Sequence, residues 1–198
     1  MSIEKIAAKA AELKEKGHST REICQEMHLS QATVEWLLAK QASEAFSEAL
    51  PADVKVGWRT IGVSGSRISS IADIMADVIL EEQKKGFDVD MISGLTNNGI
   101  PLATIVSEIL EVDFGMVRTS REGTETNYAS NYAGIKGKNV ILIDDVISSG
   151  STMKEAIKFV REQGGNAVLI MVLINKRGED ELDNVPLRAL IRARPVKI

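Results

Sequence analysis

Cysteine occurs once in this 198-residue chain, at Cys24, so no internal disulfide can brace the fold and a reducing compartment is expected. Long apolar runs are missing as well. The longest, residues 167–174, has eight residues, against the roughly 20 that a membrane-spanning helix needs. Positive charge is not in excess: 24 Lys and Arg face 28 Asp and Glu, a net of -4. That balance gives no general attraction to nucleic acid or to an anionic membrane, so any DNA contact has to come from a local arrangement of charge. The amino terminus, Met-Ser-Ile-Glu-Lys-Ile, is already charged and helically periodic, unlike a signal or transit peptide. What is present is an ordinary globular composition without repeats, 44% apolar and 26% charged, able to bury a substantial core. These features predict a soluble, cytoplasmic protein with no membrane partner.

The length suits one ordinary domain and a small one. The expected division is a helical head over residues 1–42, a linker over 43–55 and a body over 56–198. In the head, Ile3, Ile6, Ala7, Ala10 and Leu13 recur at helical spacing up to Gly17. Thr20 is the expected cap of a second helix, with Ile23, Cys24 and Met27 inward. Ser30 is the expected cap of a third, with Val34, Leu37 and Leu38 inward. The body opens with an amphipathic helix over 68–83, whose buried face is expected to hold Ile71, Ile74, Met75, Val78 and Ile79. Strands over 89–93, 114–118, 140–144 and 167–174 then alternate with helices over 100–110 and 152–162, and 187–193 adds a last strand. Residues 119–137 are polar and read as a long mobile loop. The alternation predicts an α/β body, a parallel sheet with helices on both faces, behind a small all-α head.

The most informative segment is 140–152, Val-Ile-Leu-Ile-Asp-Asp-Val-Ile-Ser-Ser-Gly-Ser-Thr. A buried strand ends there in two carboxylates, Asp144 and Asp145, and a turn of small residues leads into a helix. Ligands of open α/β sheets sit beyond the carboxyl ends of the strands. Small residues at Ser148, Ser149, Gly150, Ser151 and Thr152 let backbone N–H groups converge on an anion, beside the positive end of the helix dipole. Adjacent carboxylates suit sugar hydroxyls, directly or through Mg2+. On spacing alone a plain strand-turn-helix connection, with Asp144 or Asp145 as a cap, also stands. Neither a Gly-Lys-Ser/Thr phosphate loop nor a Gly-x-Gly-x-x-Gly fingerprint occurs here.

This stretch resembles the phosphoribosyl pyrophosphate (PRPP) motif of type I phosphoribosyltransferases. The resemblance implies that Asp144 and Asp145 hold the ribose hydroxyls, with Mg2+ bound through the sugar, and that residues 148–152 hold the 5′-phosphate. A hydroxyl residue at Ser148 is similar to the orotate branch of that family. A second stretch, 93–103, resembles the pyrophosphate loop of orotate phosphoribosyltransferases, which also runs into Gly-Ile-Pro-Leu-Ala. It implies ligand contacts at Gly94, Thr96, Asn97, Asn98 and Gly99.

The resemblance breaks at the catalytic loop. Orotate enzymes carry an Arg-Lys pair, a further lysine and a His-Gly there, and fixed cations stabilise the charge that develops on a departing pyrophosphate. Here Arg118 matches the arginine, Thr119 replaces its lysine, and no lysine occurs between Lys85 and Lys136. Arg121 is the candidate substitute cation; solvated loop charges are the plain alternative for both arginines. Ser64-Gly65 is a thin match to the base-binding segment of the same enzymes.

Residues 20–39 fit a helix-turn-helix, with His28 where a left-handed backbone is usual. Ser30, Gln31, Ala32, Thr33, Glu35 and Trp36 are the candidate DNA-facing residues of its second helix, and Gln31 suits adenine. Arg21, with Lys5, Lys9, Lys14 and Lys16, could touch phosphates. Residues 1–45 hold six Lys or Arg against seven Asp or Glu, so an assembly module remains an alternative for the head. Head and body together resemble archaeal transcriptional regulators described as orotate-phosphoribosyltransferase-like. That implies a homodimer that binds a palindromic operator in double-stranded DNA and senses PRPP or another phosphorylated metabolite. An active orotate phosphoribosyltransferase with an added head is the competing expectation.

Overall fold

A computed structural model describes residues 3–42, 53–95, 97–119 and 127–194. The chain separates into two compact units, Met1–Gly57 with Ala193–Ile198, and Trp58–Arg192.

In the first unit, α1 (Ile3–Glu15), α2 (Thr20–Met27) and α3 (Gln31–Ala42) close around one small core. Ala7, Ala10 and Leu13 meet Ile23, Met27, Leu29, Val34, Trp36 and Leu37 there. The cap of α2 is Ser19, one residue before the expected Thr20. Its hydroxyl accepts from the Glu22 N–H, and the Glu22 carboxylate accepts from the Ser19 N–H. Only Ser19 has a glutamate three residues on, so only Ser19 can form this reciprocal pair, and such a cap contributes about 1 kcal/mol. His28 ends α2 in the left-handed region, with φ 52° and ψ 41°. The Ser30 hydroxyl accepts from the Thr33 N–H at the start of α3.

In the second unit, α4 (Arg59–Gly62) and α5 (Gly65–Gln83) precede the sheet. Then follow β1 (Met91–Leu95), α6 (Gly99–Leu110), β2 (Asp113–Arg118), β3 (Asn127–Tyr128), β4 (Asn139–Ile147), α7 (Ser151–Glu162), β5 (Asn166–Asn175), β6 (Glu181–Leu182) and β7 (Val185–Arg192). The strands lie in the order β3-β2-β1-β4-β5-β7-β6. The inner pairings are all parallel, and the two-residue strands β3 and β6 lie antiparallel at the edges. Such short edge strands offer little to an incoming strand. On β4, Val140 and Leu142 pack in one cluster with Met153, Ile157 and Val160 of α7. Ile141 and Ile143 alternate with them and are equally buried, on the side of α6. A strand covered on both faces reads as a continuous apolar run, which is why β4 was legible.

Two expectations need correction. The buried face of α5 holds Ala72, Met75, Ala76, Ile79 and Glu82, while Ile74 is 51% exposed. The helix lies close against α6, and small alanines fit that contact better than a second row of isoleucines. The Glu82 carboxylate accepts from Arg188 of β7 at 2.7 and 3.0 Å and so ties the end of α5 to the sheet. The described end of the 119–137 segment is also tied down. β3 pairs with β2, Tyr132 stacks edge-on against Phe114, and Ile135 is buried in the core. Residues 120–126 lie outside the described residues. Among the described residues, no helix is long and apolar enough to cross a membrane.

Candidate functional site at the carboxyl edge of the sheet

Both acids of the 140–152 segment lie within β4 rather than beyond it. The strand continues to Ile147 because the longer β5 pairs with it that far, Asp144 opposite Val172 and Ile147 opposite Asn175. Asp144 is half-buried, and its Oδ1 accepts from the Asp145 N–H at 2.9 Å. Asp145 is buried. Its Oδ1 accepts from the Val146 N–H at 2.8 Å. Its Oδ2 accepts from the Trp58 indole N–H at 2.7 Å and from the Asn98 amide at 3.0 Å. Burial, and then the neighbouring charge of Asp145, push the Asp144 carboxyl well above the usual carboxylate range. Two like charges side by side are relieved by hydroxyl donors or by a cation, which is the chemistry that a sugar diol with Mg2+ supplies. Among the described residues no group of three or more His, Cys, Asp or Glu could hold a metal ion, so a cation here would need oxygens from a ligand.

The turn after β4 leads into α7 through Gly150, which sits at the cap with φ 81° and supplies no side-chain hydrogen bond. The Ser149 hydroxyl accepts from the Ser151 N–H at 3.4 Å in its place, and the start of a helix favours an anion. Ser149 and Ser151 are exposed and their hydroxyls lie 3.1 Å apart; Ser148 and Thr152 are half-buried. Arg177, just after β5, donates from Nη1 to the Ser149 carbonyl and from Nη2 to Glu179. Its Nε is buried without a hydrogen-bond partner. Sequence reasoning missed this cation, although its place two residues past a parallel strand puts it on the ligand edge.

The second candidate loop is brought to the first by Asn98, whose amide reaches Asp145. Asn97 is exposed beside it, and Thr96 lies outside the described residues. Gly94 and Gly99 are packing positions. A Cβ on Gly94 would lie 2.9 Å from the Ile100 Cα, and one on Gly99 would lie 2.3 Å from the Ile143 carbonyl oxygen. Gly99 therefore lets the first turn of α6 press against the strand that carries Asp144. Trp58 was also missed, because a lone tryptophan ahead of a short helix carries no motif. Ser64 lies just before α5, with its hydroxyl 3.0 Å from that of Ser66. Arg118 is exposed at the end of β2, and Arg121 lies outside the described residues.

In the head, Gln31, Ala32 and Glu35 are exposed on α3, and the Gln31 amide donates to Glu35 at 2.7 Å. Thr33 and Trp36, expected among the DNA-facing residues, are buried at 5% and 8% exposure. Thr33 turns to Ser30, and the Trp36 ring fills the head core with the Lys40 ammonium 4.9 Å from its centre. Neither side chain is placed to read a base edge. Arg21 and Ser30 are half-buried.

Residues 58–190 match the family model described as "Phosphoribosyl transferase domain". A protein of Thermoplasma acidophilum named "Transcriptional regulator GfcR" is 46% identical over 98% of this chain and 98% of its own length. Among solved structures, orotate phosphoribosyltransferase from Aeropyrum pernix matches with a TM-score of 0.58 at 23% identity, over 74% of this chain and 84% of that one. Adenine phosphoribosyltransferase from Thermoanaerobacter pseudethanolicus matches with a TM-score of 0.59 at 19% identity, over 72% of this chain and 89% of that one. At those identities the two enzymes share the fold, which is that of a type I phosphoribosyltransferase. The body is thus a phosphoribosyl transferase domain, and the chain as a whole belongs to the family of the GfcR transcriptional regulators.

Proposed function

We propose that this protein is a DNA-binding transcriptional regulator whose phosphoribosyltransferase body senses PRPP or a related phosphorylated metabolite. The observation that carries the reading is the pairing of Asp145 with Asn98, which gathers both ligand loops at one edge of the sheet. In a chain so similar to a named regulator, that edge serves for sensing. Asp144 and Asp145 would take the ribose hydroxyls, and the start of α7 with Ser148, Ser149, Gly150, Ser151 and Thr152 would take the 5′-phosphate. Asn97 and Asn98 would take the diphosphate side. Mg2+ would arrive with the diphosphate and neutralise charge beside the two acids, which hold it through the sugar oxygens.

The head would meet double-stranded DNA through α3, as a helix-turn-helix, with Gln31 and Ala32 nearest the bases and Arg21 on the backbone. Two copies in a homodimer would match a palindromic operator. Orotate transfer is the weaker reading, because no lysine lies between Lys85 and Lys136 to assist a departing pyrophosphate.

Fluorescence anisotropy with labelled DNA from upstream of the protein's own gene, at fixed salt, tests the assignment. Binding at least about 1000-fold tighter than to unrelated DNA is expected of a specific regulator, with Gln31→Ala reducing that preference. Equal affinity for both DNAs, together with orotidylate formation from orotate and PRPP, would overturn it.

A further inference from the structure

We infer that residues 53–58 form a strap that carries the ligand signal, with Trp58 competing with the ligand for Asp145 and Asp53 clasping the start of α3. The inference rests on the proposed function, since it assigns a regulatory path to that same site.

At the body end, Asp145 Oδ2 already accepts from both Trp58 and Asn98. An oxygen holding two donors has little capacity left, so sugar hydroxyls that reach it must displace one of them. The indole has a single N–H and no other hydrogen-bonding group, whereas Asn98 belongs to the proposed ligand loop itself. The Trp58 ring lies against Gly62, where a Cβ would fall 2.9 Å away. The Trp58 carbonyl accepts from the Ile61 and Gly62 N–H groups. The ring thus belongs to the residue at which the strap joins α4.

At the head end, the Asp53 carboxylate accepts from the Ser30 N–H at 2.7 Å with one oxygen and from its own Val54 N–H at 2.7 Å with the other. Ser30 in turn accepts from the Thr33 N–H. Asp53 thus places a negative charge beside Gln31 and Ala32, the residues proposed to approach DNA. Such a charge is favourable to the helix dipole and unfavourable to an incoming phosphate. Only Val54, Lys55, Val56 and Gly57 separate the two anchors in sequence, and none of them belongs to a helix or strand. Ligand at Asp145 would release Trp58, slacken the strap and free Asp53, and DNA affinity would rise.

The strap is testable without ligand or DNA, by hydrogen exchange of the Ser30 amide in the full chain. Asp53→Ala sets the upper limit of exchange. Trp58→Phe keeps the ring and removes its N–H, and should raise Ser30 exchange about tenfold toward that limit. Asn98→Ala removes the other donor to Asp145 and should leave Ser30 unchanged. Should Trp58→Phe fail to fold, Asp145→Asn weakens the same bond from the other side and should give the same rise. Wild-type exchange in a folded Trp58 or Asp145 variant, or an equal rise in Asn98→Ala, would overturn the strap. Calorimetry with PRPP and Mg2+ then tests the competition, with Trp58→Phe expected to bind about tenfold more tightly than wild type. Binding no tighter than wild type would overturn Trp58 as competitor. Failure of every folded variant and of wild type to bind PRPP would instead count against the proposed function, leaving the exchange result to decide the strap.

Discussion

At the turn from β1 to α6, glycine serves what passes beside it: the Ile143 carbonyl would lie 2.3 Å from a Cβ on Gly99. At the turn from β4 to α7, Gly150 serves its own backbone, with φ 81° and no atom closer than 3.1 Å to an added Cβ. Both turns follow a parallel strand and open a 12-residue helix. The first is closed by packing and presents a polar amide, Asn98, to the acids. The second carries hydroxyls at the start of its helix, where Ser149 accepts from the Ser151 N–H. One turn is set by what packs against it, the other by its own backbone.

The largest expected effect comes from filling the packed turn. Gly99→Ala forces backbone against backbone between α6 and β4, and should lower stability by about 3 kcal/mol in urea unfolding. Asp145→Asn leaves the fold intact but removes the charged acceptor of the Trp58 and Asn98 donors. PRPP affinity by calorimetry should fall at least tenfold, about 1.4 kcal/mol. Gly150→Ala strains only a left-handed backbone and crowds Arg177 Nη1, so a loss of about 1 kcal/mol is expected, with weakened PRPP binding.

Asp144→Asn gives the smallest change, and its sign depends on pH. The folded state raises the carboxyl's pKa, so Asp144 favours folding at low pH, and that contribution is lost as pH rises through the raised value. Asparagine carries no such cost. Thermal melts of the variant should match wild type in acid and exceed it at higher pH. The proposed Mg2+ with PRPP would favour the ionised form, so wild-type affinity should rise over the same pH range.

The sheet was readable because β4 holds the apolar run 140–143 and β5 the run 167–174, and the helices between strands keep their period. The ends of the elements were less readable. β4 runs three residues past Asp144 because β5 pairs with it, a long-range fact that no local pattern carries. The face of α5 was misplaced because burial followed the closeness of α6, not the size of Ile74. In the head, Thr33 and Trp36 sit at helical positions compatible with either face; Trp36 entered the small core, and Thr33 is buried with its hydroxyl against Ser30. Of the candidate site residues, Asp145 and Asn98 were named from separate motifs and meet in the structure. Trp58 and Arg177 come from 87 residues before Asp145 and 28 residues after Ser149, and only folding brings them in.

The central claim is that the ligand edge and the head are linked. It is tested most directly by the calorimetric affinity of the full chain for PRPP with Mg2+, measured with and without saturating operator DNA. Coupling between two sites is reciprocal, so operator should tighten PRPP by the same factor by which PRPP tightens operator, about fivefold or more. An identical PRPP affinity in both titrations would contradict the account.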